Sequence, residues 1–238
     1  MKRILIVIPA YNEEENILKT YNSIVDFNRK NGTTYKVIVI NDGSTDSTLK
    51  ILRENDIPHV ALIHNLGIGG AVQTGYKYGY ENGFDIAVQY DGDGQHDVSY
   101  VKAITDPIVN GEADLVVGSR YIDPSESDFQ SSFARRCGIK LISWATKLKT
   151  GETVLDTTSG FRAVNREIMG YFSKNYPTEF PESITNVECI KMGYRIKEVP
   201  VSMNEREGGV SSIRSGKIIY FMLNVVLSIL ISNVRRKK

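Results

Sequence analysis

Two carboxylates and an amide stand at alternate positions in the segment Asp91-Gly92-Asp93-Gly94-Gln95. The segment follows the apolar run 86–90, which is typical of a buried parallel strand, and open α/β sheets bind ligands at the carboxyl ends of such strands. Oxygen ligands of this kind suit a hard divalent cation, Mg²⁺ or Mn²⁺, that holds a phosphorylated ligand. A calcium EF-hand is excluded, because it would have glycine in place of His96. Asp-Gly pairs also form ordinary turns, so a structural turn is the competing interpretation.

Strand-like and helix-like segments alternate through the first half of the chain. This order predicts an α/β fold with a mostly parallel sheet and helices on both faces. The first helix is expected to start at Asn12, with Glu15 three residues later. The second half is less regular, which is typical of a part of the chain that supplies specificity and does not form the nucleotide-binding platform. The predicted strands are 4–8, 37–40, 60–63, 86–90 and 115–117, and the further predicted helices are 46–52, 70–80 and 133–148.

Composition limits the class of protein. The 238 residues, 41% hydrophobic and 24% charged, are those of a folded protein with one large α/β domain or two small ones. A formal charge of +1 argues against nucleic-acid binding. Cys137 and Cys189 form no CxxC pair, so zinc and a disulfide framework are disfavoured and a reducing compartment is expected. The apolar run 4–8 ends at Pro9 without a cleavage site, which favours a first strand over a signal peptide and predicts a cytoplasmic protein.

Polar and aromatic residues also follow the first two predicted strands. In the segment 9–13, Tyr11 could stack on a nucleobase, and Glu13 could accept from a ribose hydroxyl or favour the helix dipole. After the second strand, Asp42 could hydrogen-bond a base edge, and Asp46 is expected to cap the next helix. Taken singly, each of these residues is more often structural. Their chemistry depends on meeting at one edge of the sheet.

A glycine-rich segment, 65–71, follows the third predicted strand. Its glycines allow the backbone to approach a phosphate closely at a helix N-terminus. It is not a dinucleotide fingerprint, because Val72 stands where the third glycine or alanine belongs and the segment follows the third strand, not the first. The chain also has no GxxxxGK[ST] sequence. Hydride transfer and P-loop hydrolysis are therefore disfavoured.

The C-terminal segment is unusually apolar. Residues 218–231 are interrupted only by Asn224 and Ser228, and residues 235–238 are all basic. The apolar stretch is shorter than the ~20 residues of a membrane-spanning helix. We expect a helix that lies at a membrane surface or packs against a partner subunit, and the alternative is a terminal helix docked on its own domain. The predicted helix 133–148 has similar alternatives, a packed surface helix or a membrane-surface or acceptor-phosphate role.

Eight short motifs follow one another along most of the chain. They are Pro-Ala-Tyr-Asn-Glu (9–13), Asn-Asp-Gly-Ser-Thr-Asp (41–46), Asn-x-Gly-x-Gly-x-Ala (65–71), Asp-x-Asp-x-Gln-His (91–96), Gly-Ser-Arg-Tyr (118–121), Thr-Ser-Gly-Phe-Arg (158–162), Pro-Glu (181–182) and Arg-x-x-Gly-x-Ser (206–211). In this order they resemble the motifs of family-two inverting glycosyltransferases, and the resemblance extends from residue 4 to about 213. It implies the GT-A (Rossmann-like) fold for that part of the chain, and the apolar pattern of residues 218–231 adds a C-terminal helix. The later motifs are similar to the branch that makes polyprenyl-phosphate sugars, which includes dolichol-phosphate mannose synthase.

The resemblance implies a role for each matched residue on the donor side. The nucleotide sugar would be linked to UDP or GDP, and a divalent cation, Mg²⁺ or Mn²⁺, would bridge its diphosphate. The implied nucleotide-binding residues are Pro9, Tyr11, Glu13 and Asp42; Asn65, Gly67 and Gly69 belong to the substrate site; and the implied cation ligands are Asp91, Asp93 and Gln95.

On the acceptor side the resemblance implies phosphate-binding and sugar-binding residues. Arg120, Arg206 and Ser211 would contact donor or acceptor phosphates, and Asp93 and the two arginines are the residues expected to act in catalysis. Ser212 stands where related enzymes often carry lysine, and Arg214 is a candidate substitute. The residues that would shape the sugar and acceptor side are Ser159, Gly160, Phe161 and Glu182. Asp91 also counts among the substrate-binding residues, through the cation and the donor diphosphate.

Three functional hypotheses remain. The leading one is transfer of one sugar to a polyprenyl phosphate by a peripheral enzyme at the cytoplasmic membrane face, with residues 1–213 catalytic and residues 214–238 binding membrane or a partner, including a second copy. A lipid phosphate is already anionic and needs no general base. The second hypothesis is transfer to a saccharide hydroxyl, for which Glu182 or Asp156 would be the base. The third is a weakly catalytic scaffold that recruits a partner through residues 218–238.

Overall fold

The computed structural model describes residues 2–122, 133–203 and 218–231. Within these ranges seven strands and eight helices follow one another. They are β1 (Ile4–Ala10), α1 (Ile17–Asn31), β2 (Lys36–Asn41), α2 (Thr48–Glu54), β3 (His59–Ala61), α3 (Gly67–Glu81), β4 (Ile86–Gln89), α4 (Tyr100–Val109), β5 (Leu115–Ser119), α5 (Phe133–Thr150), β6 (Arg162–Asn165), α6 (Arg166–Phe172), α7 (Pro181–Lys191), β7 (Ile196–Pro200) and α8 (Ile218–Ile231).

The strands form one sheet in the order β3-β2-β1-β4-β6-β5-β7. All neighbouring pairs are parallel except those of β6, which runs antiparallel between β4 and β5. The predicted mostly parallel α/β fold is therefore confirmed. Because β6 is reversed, it begins at the edge where β1, β2 and β4 end, with Arg162 opposite Gln89. The loop that enters β6 thus meets the loops that leave the three parallel strands.

Two hydrophobic cores lie on opposite faces of the sheet. Side chains alternate between the two faces of a strand, so Ile6 and Ile8 of β1 join one core while Leu5 and Val7 join the other. All four are essentially inaccessible to solvent. A strand covered on both faces is apolar at consecutive positions, which is why these strands are recognisable as unbroken apolar runs.

The C-terminal helix α8 packs through one face against α5. Met222, Val225 and Ile229 are buried together with Ile139 and Ile142 in a third hydrophobic cluster. This face matches the expected alternative of a helix docked on its own domain. Within the described ranges, no helix combines the length and hydropathy needed to cross a bilayer. Residues 235–238, the expected basic end, lie outside the described residues.

Several predicted boundaries were wrong. Helix α1 begins at Ile17, five residues after the predicted start at Asn12, because Asn12 has a φ of 55° and bonds to a neighbouring loop. Helix α3 begins earlier than predicted, at Gly67. Strand β3 ends at Ala61, and Ile63, predicted to belong to it, is 90% exposed. The apolar residues Leu62 and Ile63, which directly follow the strand, therefore misled the strand assignment.

Five elements were not predicted from the sequence: α4, β6, α6, α7 and β7. Pro107 lies inside α4, where proline normally disfavours helix. The strand β6 has only four residues and contains the charged side chain of Arg162. Hydrophobic periodicity therefore predicts neither α4 nor β6, because tertiary packing overrides local propensity at these positions.

Helix α3 lies unusually close to the sheet at Gly75. A Cβ atom added there would lie 2.1 Å from Cγ1 of Val7. The same atom at Gly79 would meet the flexible thioether of Met169 at 2.8 Å and Leu5 at 3.1 Å. The close approach at Gly75 is therefore against a rigid β-branched side chain in the central strand β1.

We expect Gly75→Ala to lower the free energy of unfolding by about 1–3 kcal/mol, because overpacking against Val7 outweighs the better helix propensity of alanine. Gly79→Ala is the matched control, and its loss should be clearly smaller because Met169 can move aside. Urea denaturation of the two variants measures the difference. Equal stability of both variants would contradict the proposed rigidity of the contact with β1.

Candidate active site

A cleft of about 650 Å³ opens at the carboxyl edge of β1, β2 and β4. The loops before β6 and α7 form its other wall, and Met222 of α8 also lines it. The cleft therefore brings together residues from both halves of the chain. Ten residues predicted for the site line it: Pro9, Tyr11, Glu13, Asp42, Asn65, Gly67, Asp91, Asp93, Gly160 and Glu182.

Hydrogen bonds hold the loop after β1 against the loop after β2. The side-chain oxygen of Asn12 accepts from the backbone N–H of Thr45 at 2.8 Å, and the N–H of Asn12 donates to Ser44 Oγ at 3.0 Å. The N–H of Glu13 donates to Thr48 Oγ1 at 2.9 Å. Asparagine tolerates the left-handed backbone better than most residues, so Asn12 can serve as this link. Its role is to fix the cleft-facing Tyr11, which is 46% exposed.

Asp42 joins the loop after β2 to the glycine-rich segment. It is only 3% exposed, and its Oδ1 accepts from the backbone N–H of Leu66 at 2.7 Å. Gly43 has a φ of 67°, and a Cβ there would lie 2.7 Å from the backbone nitrogen of Asn65. Glycine is therefore required at position 43 for two reasons, the positive φ and the lack of space for a side chain. Asp42 still lines the cleft, which is consistent with its predicted role toward the donor nucleotide.

Asp46 was expected to cap α2, but the N-cap residue is Ser47, and Asp46 precedes it; the helix also begins two residues later than predicted. Its Oδ1 accepts from the backbone N–H of Thr48 at 2.9 Å, and its Oδ2 accepts from the N–H of Glu14 at 3.1 Å. The carboxylate therefore satisfies a donor at the helix start and a donor in the first loop together.

Asp91 is the carboxylate at the end of β4, and its side chain is 36% exposed to the cleft. Its Oδ2 lies 3.1 Å from Nε2 of His96, whose ring is buried and stacked on Phe161 at a centroid distance of 4.7 Å. Burial would raise the pKa of Asp91, but His96, with smaller contributions from Gln89 and Arg120, outweighs it and lowers the pKa below its usual range. Asp91 therefore remains ionised at neutral pH.

Asp93 lies two residues further along the same loop. It is 6% exposed, lines the cleft, and accepts from the backbone N–H of Gln95 at 3.1 Å. Among the described residues no group of three or more His, Cys, Asp or Glu side chains could hold a metal ion. Two carboxylates in one wall do fit Mg²⁺ or Mn²⁺, which commonly take one or two protein carboxylates and complete their shell with phosphate and water. Gln95 as a third ligand stays a prediction.

Gly160 approaches Asp91 from the opposite wall of the cleft. A Cβ atom at Gly160 would lie 3.0 Å and 3.1 Å from the two carboxylate oxygens of Asp91. Behind this loop the fully buried Arg162 donates to the carbonyl oxygen of Ser159 from both Nε, at 3.1 Å, and Nη2, at 2.7 Å. The guanidinium therefore fixes the glycine in place against the acidic loop.

Arg162 also reaches the start of α7. Its Nη1 donates to Thr185 Oγ1 at 2.9 Å and to the carbonyl oxygen of Glu182 at 3.3 Å. One guanidinium thus ties the loop before β6 to the helix that completes the cleft. Arg162 belongs to one of the sequence motifs, but no role was predicted for it. The signal that could have identified it was an arginine directly followed by the apolar residues Ala163 and Val164.

Glu182 is the acidic residue of the cleft at the start of α7. Burial raises its pKa above the usual range; nearby Arg162 partly opposes this, and Asp91 adds to it. Nε2 of Gln89 lies 3.5 Å from its Oε1, at the limit of a hydrogen bond. A carboxyl group with a raised pKa in a cleft is a candidate for proton transfer.

Arg120 forms a buried bidentate ion pair with Asp156. Its Nε and Nη2 donate to the two carboxylate oxygens at 2.7 Å and 2.8 Å, and its backbone N–H donates to the same group at 3.1 Å. Arg120 is 6% exposed and Asp156 is inaccessible to solvent. Burial alone would lower the pKa of Arg120, but Asp156 reverses the effect and raises it. Asp156 is committed to this pair, which disfavours it as a general base.

Five predicted site residues within the described ranges lie outside the cleft wall: Gly69, Gln95, Arg120, Ser159 and Phe161. Gly69 packs α3 against the segment before α7, since a Cβ there would lie 2.4 Å from the carbonyl oxygen of Pro177. The hydroxyl of Ser159 accepts from the backbone N–H of Phe161 at 3.3 Å. These contacts support the residues of the cleft wall on the side that faces away from the cleft. The predicted Arg206 and Ser211, and the candidate substitute Arg214, lie outside the described residues.

We expect Asp156→Ala to lower the free energy of unfolding by about 3–5 kcal/mol, because it leaves a buried guanidinium without its counter-charge. The double variant Arg120→Met, Asp156→Leu should recover most of that loss, since it removes both charges. Urea denaturation measures both. A loss below about 1 kcal/mol for Asp156→Ala would contradict this prediction, because it would mean that the ion pair contributes no more to stability than an exposed one does.

Comparison with known proteins identifies relatives of similar length. The chain is 34% identical over 219 residues to the UDP-N-acetylglucosamine–dolichyl-phosphate N-acetylglucosaminyltransferase of Methanococcus voltae, with 84% of this chain and 85% of the relative covered. It is 30% identical over 238 residues to the undecaprenyl-phosphate mannosyltransferase of Micrococcus luteus, with 94% and 92% covered.

The fold matches that of glucosyl-3-phosphoglycerate synthase from Mycobacterium tuberculosis, solved in complex with Mn²⁺, UDP-glucose and phosphoglyceric acid. The TM-score is 0.68 at 20% identity, and the match covers 98% of this chain and 81% of that one. A family model described as glycosyl transferase family 2 matches residues 5–172, which include β1 to β6 and the acidic loop. The chain therefore belongs to glycosyl transferase family 2.

Proposed function

We propose that this glycosyltransferase moves one sugar, with inversion, from a UDP- or GDP-sugar to a polyprenyl phosphate. The observation that carries the proposal is the acidic pair Asp91 and Asp93 in the wall of a cleft that also exposes the ring of Tyr11. The acceptor class is supported by the names of the relatives that are 30–34% identical over most of the chain.

The donor nucleotide would lie over the ends of β1 and β2. Tyr11 presents an exposed ring that could stack on a base, and Asp42 and Glu13 line the cleft beside it. The hydrogen bonds of Asn12 hold this surface in place before the donor arrives. A preformed surface reduces the ordering cost of binding.

The diphosphate would lie at the end of β4. Asp91 and Asp93 would hold Mg²⁺ or Mn²⁺, which would supply positive charge to the departing nucleoside diphosphate. The chain itself keeps Asp91 ionised through His96 and keeps its oxygens accessible through Gly160. The residues that bind the cation are thus pre-organised for it.

The acceptor would enter between the loop before β6 and the start of α7. Its wall includes Thr158, Phe180, Ser183 and the apolar side chain of Met222. The phosphate of a lipid acceptor is anionic at neutral pH, so it can attack the sugar without a base. We further propose that the enzyme is peripheral at the cytoplasmic face of the membrane, that residues 1–213 are catalytic, and that residues 214–238 bind membrane or a second copy.

A saccharide hydroxyl as acceptor is the second candidate function. It is favoured by Glu182, whose raised pKa and place in the cleft suit a general base. The two candidates differ in the bond that forms: a sugar phosphate in the first and a glycosidic linkage to a hydroxyl in the second.

Incubation of the protein with a panel of UDP- and GDP-sugars, Mn²⁺ and a short-chain polyprenyl phosphate tests the proposal directly. We expect a lipid-linked sugar monophosphate from one donor. The absence of product across the panel, from protein with a native circular dichroism spectrum, would overturn the proposed activity.

Asp93→Asn should lower kcat by about 10²–10³-fold, the usual cost of removing one electrostatic stabiliser of the departing charge. It should also weaken Mn²⁺ binding in the presence of UDP or GDP, which calorimetry measures. Asp97→Asn is the matched control, because Asp97 is exposed in the same loop and its amide can still accept from Ser99 N–H. Unchanged Mn²⁺ binding in Asp93→Asn would remove Asp93 from the cation site.

Glu182→Gln should change the rate of transfer to polyprenyl phosphate only a few-fold, since that acceptor carries its own negative charge. Transfer to a saccharide hydroxyl would instead fall by about 10²–10⁴-fold, the usual contribution of a general base. Glu179→Gln, an exposed neighbour, is the control. A large loss with a hydroxyl-linked product would favour the second candidate function.

A further inference from the structure

Two exposed apolar stripes lie on α5 and α8. On α5 the stripe is Cys137, Leu141, Trp144 and Leu148, spaced as on one side of a helix, with Trp144 56% and Leu148 64% exposed. On α8 the stripe is Leu223, Leu227, Leu230 and Ile231, which are 39–77% exposed. Large exposed apolar patches mark interaction surfaces.

The two stripes lie on the same side of the helix pair. A Cβ at Gly138 would lie 2.6 Å from Met222, and Nζ of Lys149 donates to the carbonyl oxygen of Leu230 at 2.7 Å, so α5 and α8 run parallel. Each helix also has a buried stripe that packs against the other helix: Ile139, Ile142 and Ala145 on α5, and Met222, Val225, Val226 and Ile229 on α8. At about 100° per residue, the exposed stripe lies about 130° around the helix from the buried stripe, clockwise on one helix and anticlockwise on the other. Because the helices are parallel and their buried stripes face each other, these opposite rotations bring both exposed stripes to one common surface.

Basic side chains lie beside the α5 stripe, along its edge away from α8. Helix α5 has five basic residues and no acidic residue, and α8 has no charged residue at all. Arg136, Lys140 and Lys147 are exposed along α5, about one quarter turn from the apolar stripe. An apolar face with tryptophan and leucine beside a basic face is the composition of a helix that lies in an anionic membrane interface.

The surface also borders the cleft. Phe180 lines the cleft and, with Leu227 and Ile231, a second groove of about 480 Å³. An acceptor whose chain lies in a bilayer could therefore present its phosphate to the cleft without leaving the membrane.

We propose that the exposed faces of α5 and α8 form one docking surface for an anionic lipid bilayer, with Trp144 at its centre. The inference rests on the proposed function insofar as a polyprenyl phosphate is a bilayer component. A second copy of the chain is the competing occupant, and the sedimentation experiment below distinguishes it from a bilayer.

Trp144 is the single tryptophan of the chain, so intrinsic fluorescence reports on this surface directly. We expect vesicles of phosphatidylcholine with phosphatidylglycerol to shift its emission to shorter wavelength, and brominated acyl chains to quench it. Vesicles of phosphatidylcholine alone should bind more weakly, and added salt should reduce the difference. Unchanged emission and no quenching on anionic vesicles would overturn the proposal.

Leu148→Glu and Leu223→Glu preserve the fluorescent reporter while placing a charge on each helix. Each should lower the affinity for anionic vesicles by about tenfold or more, since it removes apolar burial and adds like charge to the lipid. Val109→Glu, an apolar residue of α4 that is 45% exposed, is the matched control and should bind as the unaltered chain does. Equal losses in all three variants would contradict a defined docking surface.

Transfer to a water-soluble short-chain acceptor separates this inference from the proposed function. The two glutamate variants should retain that activity while losing vesicle binding. Absence of the soluble activity in the unaltered chain would count against the proposed function alone. A lipid-independent emission shift that grows with protein concentration, together with a dimer in sedimentation, would overturn the membrane surface in favour of a second copy.

Discussion

The position of β4 in the sheet is the constraint on which the site depends. It pairs parallel with β1 on one side and antiparallel with β6 on the other. The end of β4 therefore meets the end of β1 and the beginning of β6 at one edge. Asp91 and Asp93 leave β4 at that point, so the acidic loop lies between the donor side and the acceptor side of the cleft. A parallel β6 would have brought Gly160 to the opposite edge.

Two buried guanidinium groups hold the second half of the cleft in shape. Arg120 is neutralised by Asp156 in a bidentate pair, whereas Arg162 is satisfied by a carbonyl oxygen of the loop before β6 and by carbonyl and hydroxyl oxygens of α7. Buried charges are costly unless their hydrogen bonds are complete, so each arginine fixes the segments that supply its acceptors. Arg162 also partly opposes the effect of burial, which raises the pKa of Glu182, whereas Asp91 adds to that effect.

The parallel half of the fold and the chemistry at its strand ends could be predicted from the order of the residues. Strands buried on both faces are recognisable as unbroken apolar runs. Parallel strands place the loops that follow them at one edge of the sheet, so Pro9, Asp42 and Asp91, which follow three such strands, were expected at the same edge. The family could be recognised for the same reason, since its motifs lie at those strand ends. The roles of individual residues beyond their place in the cleft remain predictions.

The remaining features became visible only in the folded chain. The reversed strand β6 is too short and too polar for periodicity to reveal, and Asn12 was mistaken for a helix cap because its true partner, Thr45, lies in another loop. Asp156, the partner of Arg120, and Thr185, one partner of Arg162, are likewise distant from these arginines in the chain. The common apolar surface of α5 and α8 depends on the parallel packing of two helices far apart in sequence. Each of these features arises from non-local contacts, which local spacing does not encode.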